Sequence, residues 1–263
     1  MALYEDIFHK LVDQIHSVIP QRTPTAAALE NCKLVSHRGE HDNKTIFENT
    51  VEAFEKVADA GVWGIELDIR WTKDLIPVVF HDDNLQRLFN NRQKISELKF
   101  SDLKKKCPLI PSLTEVVDKF GHKLHLMIEV KQEDYANAEQ QIKTLEKIMQ
   151  SLVPIKDYHF ISIYPQMFED LKFVPTQALL PIAIISYRKK SHLCFKKNYG
   201  GILGHYQFIS RYGIRKHLKQ GRKVGLGFIA SKNSLYRELN RGVEWIFTNN
   251  ALKLQAMCRK ASP

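Results

Sequence analysis

The chain has 263 residues, 44% of them apolar, and a net charge of +10 from 39 basic and 29 acidic residues. That length suits one barrel of ~250 residues. The even composition excludes a low-complexity or solenoid chain, and no run nears the ~18 apolar residues of a membrane span.

The opening stretch carries acids early and lacks a continuous apolar core, so it is not read as a secretory signal. Tyr4, Ile7, Phe8, Leu11, Val12, Ile15, Val18 and Ile19 fall at helical spacing, which predicts a helix over 4–19 packed on the rest of the protein. Strands are expected at 33–37, 63–70, 124–130, 159–163, 178–185, 200–204, 223–228 and 244–248. Helices are expected near 50–60, 112–120, 135–151, 166–172, 211–219 and 233–241, and the polar link 186–199 reads as a loop. Asn49 is placed as the N-cap of the helix at 50–60, with Gly61 ending it.

Strands alternating with helices argue for a parallel sheet. The run 77–81 follows its predecessor after about six residues, too few for the dozen or more of a parallel crossover, so it must return antiparallel. Eight strands remain. The expected fold is α/β, a (β/α)₈ TIM barrel with an N-terminal helix and a β-hairpin excursion after strand 2. The whole chain, 1–263, is one domain in this reading, with 1–32 a helical extension.

His37, Glu66, Asp68, His81 and Glu129 sit at or near the ends of four short apolar runs, Glu66 and Asp68 sharing one. Burying unpaired charge is costly, so four such ends point to one shared site. Residues i and i+2 of a strand face the same way, which pairs Glu66 with Asp68 and Glu129 with Lys131. Hard cations prefer oxygen ligands, so the acids suit one divalent metal: magnesium, calcium or manganese. The two imidazoles suit proton transfer near neutral pH. His41 and His205 read as structural.

The bases cluster late, at Arg188–Lys190, Lys196–Lys197, Arg215 to Lys219 and Arg222–Lys223. Such a balance attracts a phosphate substrate, an anionic membrane surface or nucleic acid. Nucleic acid is not expected, because neither an RNA-binding motif nor a zinc finger accompanies the charge. Cys32, Cys107, Cys194 and Cys258 are scattered with no CxxC pair, which predicts free thiols in a cytoplasmic protein.

The ordered set His37-Arg38-Gly39, Phe47-Glu48-Asn49-Thr50, Glu66-Leu67-Asp68, Thr72-Lys73-Asp74, His81-Asp82 and Ile128-Glu129-Val130-Lys131 resembles the glycerophosphodiester phosphodiesterase family. The resemblance is strong over about 34–131 and faint afterwards. It implies hydrolysis of a small-molecule glycerophosphodiester to glycerol 3-phosphate and an alcohol, with a bound calcium or magnesium ion. It further implies Glu66, Asp68 and Glu129 as metal ligands, His37 and His81 as acid and base, and Arg38 and Lys131 facing the phosphate. Glu48 is a candidate for glycerol hydroxyls or for support of the metal. Three positions depart from the family pattern: Leu75 replaces a turn glycine, Gly227-Phe228-Ile229-Ala230 replaces Trp-Thr-Val-Asn, and Thr248-Asn249 replaces Thr-Asp. The last two bear on the alcohol pocket and are expected to leave the metal and both histidines untouched. A phospholipase D-like hydrolase of lysophospholipids or sphingomyelin, and a non-catalytic anion-binding barrel, remain as alternatives. Which histidine is the base, and whether water or the glycerol 2-hydroxyl attacks, stay open, as does the oligomeric state.

Overall fold

The computed structural model describes residues 13–184 and 186–261. Eight parallel strands close into a ring: β1 (Lys33–His37), β2 (Gly64–Trp71), β4 (His125–Val130), β5 (Tyr158–Ser162), β6 (Leu179–Ala183), β7 (Gly201–His205), β8 (Lys223–Gly227) and β9 (Trp245–Thr248). β1 makes the closure, pairing with β2 on one side and β9 on the other. β3 (Pro77–Val79) returns antiparallel along β2, as the short connection requires.

Strand alternation sorts side chains into two layers. Val35, Met127, Ile161, Leu180, Leu203, Trp245 and Phe247 fill the barrel. Leu34, Ile65, Leu67, Ile69, Leu126 and Ile128 face outward into the larger core beneath the helices. The interior also carries polar groups at its two ends. At the N-terminal end, His125 Nε2 and His159 Nδ1 lie 2.8 Å apart, and Trp63 stacks on His125 at 4.2 Å between centroids. At the C-terminal end stand Glu66, Asp68 and Glu129.

The excursion after β2 is larger than a hairpin. It builds its own small core from Val78, Phe80, Leu85, Ile95, Leu98, Leu103, Cys107 and Ile110. Two short helices, Gln86–Phe89 and Phe100–Lys106, belong to it. Leu75 sits in its turn at φ 61°, the left-handed conformation that a glycine takes without strain.

Two elements differ from expectation. The link 186–199 is not a loop: Tyr187–Lys196 is an α-helix. Its buried stripe is narrow, Ser191 and Cys194, and its basic residues mask the periodicity. Conversely, 166–172 forms only the 3₁₀ turn Pro165–Phe168, because one buried phenylalanine and one proline do not sustain a longer amphipathic face. The helix Val51–Asp59 is capped by Thr50, whose hydroxyl accepts from the Ala53 N–H, and not by Asn49. Gly61 follows it at φ 63°, as expected.

Of the helix predicted over 4–19, residues 4–12 lie outside the described residues, and 13–17 are helical. That end does pack on the barrel: Asn233 donates to the Ser17 carbonyl at 2.7 Å, and the His16 ring meets Tyr206 edge-on at 5.5 Å. The extension also contains the unpredicted helix Ala26–Glu30. Among the described residues no helix is long and apolar enough to cross a membrane.

Candidate active site

Strand register assembles the site. His37 pairs with Glu66 across β1 and β2, and Asp68 pairs with Glu129 across β2 and β4. All four lie toward the C-terminal ends of their strands, the face on which this architecture carries its chemistry. Oxygens of Glu66, Asp68 and Glu129 lie within 4.8 Å of one another, and all three residues are buried. Two oxygens held by one calcium ion at ~2.4 Å can be at most about 4.8 Å apart, so the trio matches that radius. Glu66 Oε2 is buried with no hydrogen-bond partner, which leaves it free for an ion.

Two cations complete the cluster. Lys131 Nζ lies 2.6 Å from Asp68 Oδ1 and 2.7 Å from Glu129 Oε2. Arg38 Nε approaches Asp68 Oδ2 at 3.3 Å, and its Nη1 donates to Glu48 Oε1 at 3.0 Å. Burial and the neighbouring acids push the Glu66 carboxyl well above its usual range. Glu129 is raised by burial too, with Lys131 opposing. Burial would also raise Asp68, but Lys131 and Arg38 outweigh it and hold that carboxyl well below its usual range. One site thus keeps one firmly ionised acid between two that resist ionisation.

Arg38 and Gly39 make the turn off β1, both at positive φ, 61° and 83°. A Cβ on Gly39 would lie 2.7 Å from Ala53 Cβ, so glycine is needed where the turn crosses the helix Val51–Asp59. Asn49, at φ 58°, sends its amide to Asp68 Oδ2 at 2.8 Å and accepts from the Asp68 N–H at 3.5 Å. Its predicted capping role is therefore replaced by an orienting one.

The excursion brings His81 to the same mouth. The Phe80 N–H donates to the Asp68 carbonyl at 2.9 Å, tying the strand end to β2. The Arg70 guanidinium donates to the His81 carbonyl at 3.1 and 3.0 Å. His81 Nδ1 meets Asp82 Oδ1 at 2.6 Å. Arg87 then joins both halves: its Nε lies 2.6 Å from Asp82 Oδ2, and its Nη2 and Nη1 reach Glu48 Oε1 at 2.5 Å and Oε2 at 3.0 Å. Although burial opposes it, the Arg87 hydrogen bonds and the charges of Arg38 and Arg87 hold the Glu48 carboxyl below its usual range. Sequence reasoning missed Arg87, which stands in a polar stretch and reaches 39 residues back along the chain.

His37 keeps 26% of its side chain exposed, with Nε2 3.8 Å from Glu66 Oε2. Its Nδ1 meets Asn249 Oδ1 at 2.7 Å. This corrects the expectation that the departure at 249 leaves the histidines untouched. Burial, then the charge of Arg38, pulls His37 below the ordinary imidazole value, so its ring is neutral here. Phe228, at φ 69°, meets His37 edge-on at 6.1 Å and stacks on His205 at 5.3 Å. His205 in turn touches Phe208, giving an aromatic wall that leads outward from His37.

The glycerophosphoryl diester phosphodiesterase family model matches residues 37–253. The chain belongs to that family. Among its glycerophosphodiester phosphodiesterase relatives, that of Caldanaerobacter subterraneus is 34% identical over 37% of this chain and 44% of its own length. Human glycerophosphodiester phosphodiesterase 1 is 33% identical over 37% of this chain and 33% of its own. The matched segment therefore spans less than half the length of these relatives. The structure of the Thermotoga maritima glycerophosphodiester phosphodiesterase superposes with a TM-score of 0.70 at 24% identity, covering 86% of this chain and 98% of that one. An Oleispira antarctica phosphodiesterase, solved with the product sn-glycerol 3-phosphate, gives 0.71 at 21%, covering 87% and 98%. The shared fold of this family is thus the barrel described above.

Proposed function

We propose that the chain hydrolyses glycerophosphodiesters to glycerol 3-phosphate and an alcohol, with one divalent cation held by Glu66, Asp68 and Glu129. The observation that carries this reading is the convergence of those three carboxylates, within 4.8 Å, at the barrel mouth that also bears His37. The product bound to the Oleispira antarctica relative supports the glycerol 3-phosphate half.

The all-oxygen donor set suits magnesium or calcium, and also manganese. When bound, such an ion offsets charge on a non-bridging phosphate oxygen. Arg38 orients the phosphate from one side. Lys131 steadies two carboxylates and adds positive charge to a site whose acids would otherwise repel the substrate. Glu48, gripped by Arg38 and Arg87, fixes the Arg38 guanidinium.

His37 and His81 move the protons. With Nδ1 donating to Asn249, His37 presents an unprotonated Nε2 on the Glu66 side and takes the proton of the attacking oxygen. Asp82 accepts from His81 Nδ1, leaving Nε2 to hand a proton to the departing alcohol. Trapping a cyclic phosphate in a single turnover identifies the glycerol 2-hydroxyl as nucleophile; its absence favours water. No disulfide joins Cys32, Cys107, Cys194 or Cys258, which suits a reducing, cytoplasmic setting.

The test is turnover of glycerophosphocholine with magnesium, calcium or manganese, abolished by a chelator and reduced ~10²- to 10³-fold by Asp68→Asn. A protein inert with all three ions and several diesters would instead be a non-catalytic anion-binding barrel. The aromatic wall favours a second reading, with lysophospholipids or sphingomyelin as substrate, because Phe228 beside His37 is 37% exposed and Phe208, beside His205, is 49% exposed. Faster turnover of lysophosphatidylcholine than of glycerophosphocholine would select it.

A further inference from the structure

A second cavity, of about 340 Å³, lies on the outer wall of the barrel, between the loop after β7 and the helix Lys232–Leu239. It shares no lining residue with the acidic site. Arg211, Arg237, Arg241, Gln21, Gln207 and Asn240 line it, and no acidic residue does. Three arginines here stand against two carboxylates, Glu238 and, acting on the same Tyr206, Asp13. Glu238 is fully buried and spends both oxygens on this cluster: Oε1 pairs with Arg237, and Oε2 with Arg241 at 2.6 Å. One carboxylate thus faces two guanidinium groups, and Arg211 adds a third.

The three arginines are not equivalent. Arg241 is the anchor, with 6% of its side chain exposed and Nη2 donating to the Ile209 carbonyl. Arg237 lies over the Tyr206 ring at 5.9 Å and keeps 29% of its side chain exposed. Arg211 is exposed and has no ion pair or hydrogen bond among the described residues. Bringing like charges together and partly desolvating them costs free energy unless an anion repays it. Planar guanidinium forks match the oxygen spacing of phosphate, and side-chain amides supply neutral donors around them.

We propose that this cavity is a second phosphate-binding site, taking a phosphate group that carries a small organic substituent. The volume is at the small end of ligand sites, which suits a single phosphate head. Exposed apolar residues adjoin the lining in sequence: Phe208 follows Gln207 and Tyr212 follows Arg211, at 49% and 78% exposed. The phosphate thus belongs either to a soluble phosphorylated metabolite or to the headgroup of a membrane lipid. The site is separate from the catalytic reading, and its occupancy does not require that reading to hold.

The test has two arms on the intact protein with magnesium present. Inorganic phosphate is titrated by calorimetry against the wild type and Arg211→Glu, with Arg237→Gln as a second variant. The wild type takes up one phosphate that depends on these arginines, whether or not the acidic site takes another. Each variant binds that phosphate ~10- to 100-fold more weakly, the range expected when a charged hydrogen-bond partner is lost. In the second arm, the same proteins are sedimented with phosphatidylcholine vesicles, with or without phosphatidic acid. Loss of sedimentation in the variants assigns the site to a lipid headgroup; loss of phosphate alone assigns it to a soluble ligand. Arg211 is exposed, so turnover of a soluble diester by Arg211→Glu stays at the wild-type rate and reports a folded protein. Phosphate stoichiometry and vesicle binding that both match the wild type overturn the proposal.

Discussion

Replacing Glu66 by glutamine inverts the stability ranking of the protein between its metal-free and metal-loaded states. Glu66 is 3% exposed, and its Oε2 has no hydrogen-bond partner. Without a cation the fold must either bury a charge or protonate it. Protonating at pH 7 a carboxyl whose unfolded value is about 4.3 costs about 1.4 kcal/mol per pH unit, a ceiling of roughly 3–4 kcal/mol. Glutamine keeps the shape and removes that cost, so E66Q stabilises the metal-free protein by ~1–3 kcal/mol, or a few degrees of Tm. The folded carboxyl is raised, so its contribution to stability is present below about pH 4.3 and is lost as pH rises. The gain from E66Q is therefore absent at pH 4 and grows toward pH 7. Excess cation reverses the ranking, because binding at a thousandfold over Kd adds ~4.1 kcal/mol to the wild type, while the variant lacks a ligand. Thermal unfolding in chelator, and then in excess calcium or magnesium, reads both states. A metal-free E66Q that melts below the wild type, or equal metal shifts in the two proteins, would refute the reasoning.

Arg87→Gln loses the grip on Glu48 and Asp82 together, so kcat falls ~10- to 100-fold in steady-state assays, as is usual for residues that orient catalytic groups. Gly39→Ala forces a side chain into the left-handed region and against Ala53, and denaturant unfolding registers a loss of ~2–4 kcal/mol. Burial lowers His125 to about 4 and His159 to about 3. The fold therefore holds both rings neutral, and stability falls as pH drops below the unfolded value of ~6.5. Between pH 6 and 4, His159→Gln makes the unfolding free energy ~1.4 kcal/mol per pH unit less steep in that direction than in the wild type.

The parts of the site legible in the sequence were those where chemistry contradicts local packing. Glu66, Asp68 and Glu129 interrupt apolar strands, and the barrel's strand direction then fixes which end they share. The eight barrel strands emerged within one or two residues at most ends because apolar runs separated by helical spacing are a strong signal. The helix Tyr187–Lys196 was hidden because two buried positions leave almost no periodic trace. Arg87 and the hydrogen bond from His37 to Asn249 were hidden for another reason. Each depends on a contact between segments 39 and 212 residues apart, which no spacing rule encodes. Asn49 is the instructive error: its residue type is right for a helix cap, but a backbone at positive φ turned its amide toward Asp68.

The ring is sealed by its earliest and its latest strand, β1 against β9. During synthesis, a growing polypeptide therefore presents an unsealed ribbon with two raw margins until the final strand leaves the ribosome. The imidazole at position 37 waits for its amide partner throughout that interval. Assembly of the candidate site is thus completed late, and a nascent fragment that has already displayed Glu66, Asp68 and Glu129 still lacks the partner of His37.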